Sequence, residues 1–415
     1  MKKFLLIFIF AVIAAAVYGD LPQEPMQRVP PEDFCIMPWN VWAETEFQPE
    51  DYDLICKEMS ECGFNVTGMI QPQFAHYAEK YKLKTQLLFD RPPVENNFEE
   101  NAKKWAENIK NIADKSILEN AFQIHVRDEP FIDDLEEMSA YGKACKNILG
   151  VRPYINFNPN KCPKEVIGDS YKTYCDSFIK GAELDFISYD RYALYNDTGL
   201  DEDKFYCNLE EIRKVALKNN VRFMNVILSV QHFNYGRPDD TSIALQGFSS
   251  LAYGAKGLSY FTLIAPARGD FRNSPYDRYG HRTDLWYAIR NMNFAIHNLS
   301  PIYCRLKNIN VFHVGNIPEM GRGFETSENL KEIKCSSPVG EANCVVGEFE
   351  DEKGTPYVLI VNKSLKYSMF IDKLEFKKGK EITHIMDLSR KDNTRPFTGE
   401  DHWLAPGYGI LLKSE

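Results

Sequence analysis

Eight short runs rich in β-branched and aromatic residues recur along the first two thirds of the chain. They are FCIMPW from Phe34, FNVTGMI from Phe64, KTQLLFD from Lys84 and FQIHVRDE from Phe122, followed by PYINFN from Pro153, LDFISYD from Leu184, RFMNVILSVQ from Arg222 and KGLSYFTL from Lys256. Between them lie segments with apolar positions at helical spacing, such as NFEENAKKWAENIKNIADKSI and NLEEIRKVALKNN. Strands that alternate with helices imply parallel strands joined by crossovers. Eight such units over roughly 270 residues fit a (β/α)₈ barrel in both count and length. A doubly wound open sheet is the alternative. It would carry a glycine-rich loop after its first strand, and PWNVWAETE is no such loop.

After RTDLWYAIRNMNFAIHNL the pattern changes. Runs such as YVLIVNKS, YSMFIDKLEF, ITHIMDL and GYGILLK follow one another across short turns with no long helix between them. This reads as a small antiparallel β-sandwich. No Gly/Ser/Pro-rich linker precedes it, so the two parts are expected to be fixed to each other. The opening MKKFLLIFIFAVIAAAVYGD, with two lysines, an apolar run and small residues, reads as a secretory signal. The expected division is a signal over 1–19, a barrel over 20–303 and a sandwich over 304–415. The mature protein is expected to be secreted or periplasmic. No later apolar run is long enough to cross a bilayer.

Composition narrows the partners. A net charge of −10 argues against nucleic acid and against anionic membrane surfaces. The 13% aromatic content suits a core or sugar-stacking platforms. Ten cysteines in an exported chain permit disulfides, with Cys335–Cys344 and Cys162–Cys175 as possible loop closures. Their spacing suits no zinc site, no histidine pair has metal-ligand spacing, and neither a catalytic metal nor a cofactor is expected.

The chemistry lies in the strand faces. Alternation in the fourth strand sets Ile124 and Val126 outward and Gln123, His125, Arg127 and Glu129 inward. The fifth strand repeats this with Asn156 and Asn158 inward, the sixth with Ser188 and Asp190, and the seventh with Asn225, Ser229 and Gln231. A barrel filled only for stability would use Val, Ile and Leu. Polar groups converging on the strand C-termini are costly unless they serve one another or a ligand, and that end is where barrel enzymes work. Asp128 nominally points away, but a bulge or bend near Pro130 would turn both acids inward. In the structural alternative, Asp128 caps the next helix and Glu129 pairs with Arg127. Two carboxyl groups at a barrel mouth suit glycoside hydrolysis, with Glu129 as the acid. The seventh strand ends SVQHF, and the neutral Gln231 cannot be a nucleophile.

RDEP at the end of the fourth strand resembles the Asp-Glu-Pro of glycoside hydrolase family 123, the β-N-acetylgalactosaminidases. ALQGFSSLAYGAKGLSYFTL resembles the entry to the last barrel strand of family 42 β-galactosidases, and WLAPGYGILL resembles the last strand of their C-terminal sandwiches. The first resemblance implies Glu129 as acid/base and Asp128 as orienter of the substrate's own 2-acetamido nucleophile. Two alternatives stay open. One is a β-galactosidase-like retaining hydrolase that uses Asp190 as its second carboxylate. The other is a glycan-binding barrel without catalysis. Candidate sugar contacts are Trp39, Trp42, Asp90, Arg91, His125, Arg127, Asn156, Asn158, Tyr192, Gln231 and Tyr260. The loop APARGDFRNSPYDRYGHR is expected to shape the pocket, and the expected partner is an oligosaccharide or polysaccharide.

Overall fold

The computed structural model describes residues 27–39, 48–197, 199–267, 269–388, 393–398 and 403–415. The segment read as a signal lies outside them, as does Trp42. Among the described residues no helix is long and apolar enough to cross a membrane.

The eight runs form one parallel sheet: β1 Cys35–Pro38, β2 Val66–Ile70, β3 Lys84–Leu87, β4 Ala121–Asp128, β5 Arg152–Phe157, β6 Phe186–Asp190, β7 Arg222–Leu228 and β8 Gly257–Phe261. Neighbours pair in sequence order from β2 to β8, and β8 pairs with β1. Helices separate the strands, as the alternation requires, and the fold is a (β/α)₈ barrel. The outward residues Ile36, Ile70, Leu87, Ile124, Ile155 and Ile187 join the helices in one large core. Cys35, Met37, Val66, Phe122, Tyr154, Phe186 and Met224 fill the barrel floor.

The barrel closes differently at β1 and β2, which share no ladder. Asn65 bridges them with its side chain. Its Oδ1 accepts from Ile36 N at 2.8 Å, and its Nδ2 donates to Phe34 O at 2.8 Å and Val29 O at 2.9 Å. Gly68 follows on β2, where a Cβ would come within 2.7 Å of Trp39 O. The two chains approach too closely there for any side chain.

Residues from Lys307 onward form a six-stranded and a four-stranded antiparallel sheet. Phe312, Val346, Val358, Ile360 and Leu412 of the first meet Ile333, Met369, Ile371 and Phe376 of the second in a separate core. The other face of the six-stranded sheet packs on the barrel helix Asp240–Ala252, so closely that a Cβ on Gly347 would overlap Ala252 O. The fully buried Lys363 ammonium pairs with Glu202 at 2.6 Å across the same junction. Arg213 of the helix Glu202–Asn219 donates to Asn308 Oδ1 at 2.5 Å.

All ten cysteines are free thiols. Cys344 is buried, with the Cys335 thiol against it. Cys175 is buried beside Tyr171, whereas the Cys162 thiol turns to Asn158 Oδ1 at 3.8 Å.

Candidate active site

The site starts from a register shift in β4. His125 faces Tyr154 of β5, yet Arg127 faces Ile155 and Asp128 faces Asn156. One extra residue of β4, at Val126, is absorbed as a bulge, and every side chain beyond it changes face. Asp128 therefore turns inward. Arg127, expected inward, is carried to the side of the outward-facing Ile155 and meets Asp134 Oδ2 at 3.6 Å. The inward turn of Asp128 comes from this bulge at Val126, four residues before Pro130. Glu129 then leaves the strand with φ of 44°, while its N–H still donates to Asn156 O at 2.9 Å. A non-glycine residue in this left-handed region carries strain, of the kind that concentrates at functional sites.

Three strands bring their polar residues together. Asn156 Nδ2 donates to Asp128 Oδ1 at 3.2 Å and to Asp190 Oδ1 at 2.8 Å. Asn156 Oδ1 accepts from Ser188 Oγ at 2.8 Å, and Ser188 Oγ accepts from Tyr154 OH at 2.9 Å. The two aspartates are thus held by one amide, whose orientation is set by a hydroxyl chain beneath it.

The electrostatics follow from crowding. Burial among the loops pushes Asp190 well above the ordinary carboxyl range, and the charges of Glu129 and Asp128 push it further, against the pull of the Asn156 bond. Asp128 is raised by desolvation and eased down by Asn156 and Arg127. Glu129 is raised by desolvation and then by Asp128. Asp128 and Glu129 keep solvent access at the mouth, while Asp190 is partly covered. Three acids that oppose one another's ionisation favour a proton held within the cluster.

An aromatic wall borders the acids. Tyr192 stacks on Phe261 with ring centres 5.5 Å apart, and its edges meet His232 and Tyr235. The Tyr192 phenol is raised by burial first and then by Asp190, Asp128 and Glu129, so it faces the acids. Trp39 lies at the end of β1, buried, with its ring 6.1 Å from Tyr154 and 6.4 Å from His125. The His125 ring is pushed down to about 3 by burial and by Arg91 and Arg127, which keeps it neutral. Its Nδ1 finds no partner among the described residues.

Other predicted residues lie elsewhere or are otherwise engaged. Asn158 donates to Pro130 O at 2.8 Å and to Tyr174 OH at 3.3 Å, bracing the loop behind Glu129. Tyr260 points outward and donates to Asn293 Oδ1 at 2.7 Å within the helical layer. Its neighbour Phe261 takes the inner position. Asp90 is exposed, and its carbonyl accepts from Trp105 at 3.1 Å. Arg91 turns away over the Tyr141 ring, 4.0 Å from Glu137. Gln231 is held at both ends, donating to Asn196 Oδ1 at 2.8 Å and accepting from Asn273 at 2.5 Å. It knits the loops after β6 and β8 together.

Sequence reasoning missed Tyr235, His232, Phe261, Asn196 and Asn273. The aromatic run of QHFNYG was the available signal for His232 and Tyr235. The parity of Gly257 was the signal for Phe261, since a Cβ on Gly257 would strike Phe186 and Met224 inside the barrel. A hollow of about 1020 Å³ opens between the loop after β8 and the helix Pro49–Glu61. It shares Phe271 and Asn273 with the rim, but none of the three acids lines it. Among the described residues no group of three His, Cys, Asp or Glu side chains has metal-holding geometry.

No protein-family profile and no curated protein matches this chain. Solved structures do. A glycoside hydrolase of family 5 from Bacteroides vulgatus superposes with a TM-score of 0.55 at 13% identity, over 92% of this chain and 89% of its own. A second glycoside hydrolase gives 0.53 at 13% identity, over 92% of each chain. A family 39 enzyme from Bacteroides cellulosilyticus gives 0.50 at 9% identity, over 92% of this chain and 82% of its own. At such identities the likeness is one of fold: this chain shares the barrel with its appended β-sheets.

Proposed function

We propose that this protein is a glycoside hydrolase acting on glycans, with Glu129 as the general acid/base. The observation that carries the reading is the trio Asp128, Glu129 and Asp190 at the C-terminal mouth of the barrel, with Tyr192 beside them and Phe261 stacked on it. A carboxyl group of raised proton affinity beside a second carboxyl group that can ionise is what cleavage through an oxocarbenium-like transition state uses. The shared architecture with glycoside hydrolases agrees with this at the level of fold.

Glu129 is assigned the acid because it keeps solvent access where a leaving oxygen can approach. Asp190 lies deeper, with one oxygen already taken by Asn156. In the first scheme Glu129 protonates the glycosidic oxygen. Asp128, ionised, accepts from the N–H of a 2-acetamido group whose carbonyl oxygen attacks the anomeric carbon. Water, activated by Glu129, then opens the cyclised intermediate with net retention. Gln231 is tolerable here, since the substrate brings its own nucleophile.

A second reading has its own support. Asp190 is drawn into the same cluster as Asp128 by one amide, so a second carboxylate for a sugar with a free 2-hydroxyl is also at hand. Chromogenic glycosides separate the two. The first scheme expects turnover of 2-acetamido sugars only and tight binding of thiazoline inhibitors. The second expects turnover of plain galactosides or glucosides and azide rescue of Asp190→Ala but not of Asp128→Ala. Glycan binding without turnover of any glycoside would leave a binding barrel. The amino-terminal apolar run supports export, where such substrates are met.

A further inference from the structure

Resting on the glycosidase reading, we propose that Asn156 is the positioning residue of the acid cluster: its amide ties Asp128 and Asp190 into a fixed pair and keeps both as hydrogen-bond acceptors. Three observations carry this. Both N–H bonds of the amide go to carboxylate oxygens, at 3.2 and 2.8 Å. The amide is buried, and its oxygen receives Ser188 Oγ, which itself receives Tyr154 OH. The reversed amide would set its oxygen against two carboxylates and its NH₂ against a donating hydroxyl, so the hydroxyl chain enforces one orientation.

The consequence is a division among the acids. Asp128 and Asp190 each have one oxygen held by the amide. Donation to a carboxylate favours its ionised form. Asn156 therefore opposes the protonation that burial favours at Asp190 and Asp128. The other groups near the cluster are Glu129 from the β4 end, with Arg127 acting on Asp128 from the outer side, Tyr154 beneath the amide, and Cys162 from the loop after β5. From the β6 side come Tyr189, Arg191 and Tyr192, and Tyr235 lies on the loop beyond β7. None of them touches both aspartates as Asn156 does.

The test is a carboxyl titration of the full chain without substrate. It is followed by carbon-13 NMR of labelled Asp and Glu and assigned with Asp128→Asn and Asp190→Asn. In Asn156→Ala the Asp128 and Asp190 midpoints are expected to rise by about one pH unit or more. In Ser188→Ala and Tyr154→Phe, which loosen the amide without removing it, they are expected to rise by less. The acid limb of kcat/KM is expected to move in the same direction. A merely structural Asn156 would lower the melting temperature and leave the midpoints in place. Unmoved or lowered midpoints in a folded Asn156→Ala overturn the proposal. If that variant does not fold, unmoved midpoints in both Ser188→Ala and Tyr154→Phe overturn it. Shifted midpoints in a protein that cleaves no glycoside uphold the grip and refute the glycosidase reading. Turnover with unmoved midpoints does the reverse.

Discussion

Replacing Asn65 by alanine tests how the barrel holds shut. β1 and β2 are the ends of the eight-strand ladder, and the Asn65 side chain stands in for the pairing they lack. Alanine strands the N–H of Ile36 and removes a donor from the carbonyls of Phe34 and Val29, all at a buried seam. A buried polar group left without its partner costs about 1–3 kcal/mol. Three such groups, with carbonyls tolerating loss better than an N–H, come to roughly 3–6 kcal/mol. Against a typical folding free energy of about 5–15 kcal/mol, this is a large share. The measurement is urea unfolding of both proteins, together with hydrogen exchange at the Ile36 amide, which reports the seam even if the whole chain does not unfold in one step. Exchange at Ile36 is expected to quicken by about 10²-fold or more, the equivalent of about 3 kcal/mol. A loss below about 1 kcal/mol with Ile36 still protected would show that the seam is held by packing and by the Asn65 N–H bond to Ile36 O rather than by the Asn65 side chain.

Other outcomes can be stated briefly. Glu129→Gln is expected to lower turnover of unactivated glycosides by about 10²–10⁴-fold while partly sparing substrates with acidic leaving groups, and wild-type turnover would remove Glu129 from the acid role. His297 accepts from Val29 N at 3.0 Å, pairs with Gly63 O at 2.8 Å, and is pushed down to about 4 by burial. With an unfolded value near 6.5, its contribution is fully present above that pH and is lost as pH falls toward 4, about 3 kcal/mol in total. Melting temperatures that do not fall between pH 6.5 and 4, or a His297→Gln variant with the same slope, would contradict this. A chain ending at Leu306 uncovers the apolar face of the helix Asp240–Ala252, on which the six-stranded sheet packs, and is expected to be insoluble or to melt well below the full protein. A soluble fragment of equal heat resistance would refute the claim that the sandwich braces the barrel.

Much of the architecture was legible because burial imposes period on sequence. The eight apolar runs had to be strands, since each is too short for a helix and each is followed by an amphipathic segment. The sandwich announced itself by losing those helices. Glu129 was legible from its place at a strand end. What could not be read were shifts of register. Nothing in FQIHVRDEP marks Val126 as the extra residue, because a bulge is decided by pairing with β5. Tyr260 was a candidate sugar contact by its chemistry, yet the parity of β8 turns Gly257 inward, where Phe186 and Met224 leave no room for a Cβ, and Tyr260 outward. The double hold on Gln231 depends on two loops far apart in the chain. Asn156 was singled out as polar and inward. That its amide would be consumed by two acids required their positions in space.

The bulge in β4 makes this site sensitive to strand register in a way that substitutions do not reveal. Pairing β4 with β5 without the bulge, so that Val126 faced Ile155, would set Arg127 opposite Asn156 in the mouth and return Asp128 to the outer side, replacing an anion with a cation while every acid stayed in the chain. A single-codon deletion of Val126 would instead leave His125, Arg127 and Asp128 opposite Tyr154, Ile155 and Asn156, so that the acid keeps its place with no bulge at all. A relative of the same length whose β4 paired without the bulge could keep the Asp-Glu-Pro lettering and present a different surface to its ligand. Comparison of such chains must therefore locate the β4 and β5 pairing points, as well as match the motif.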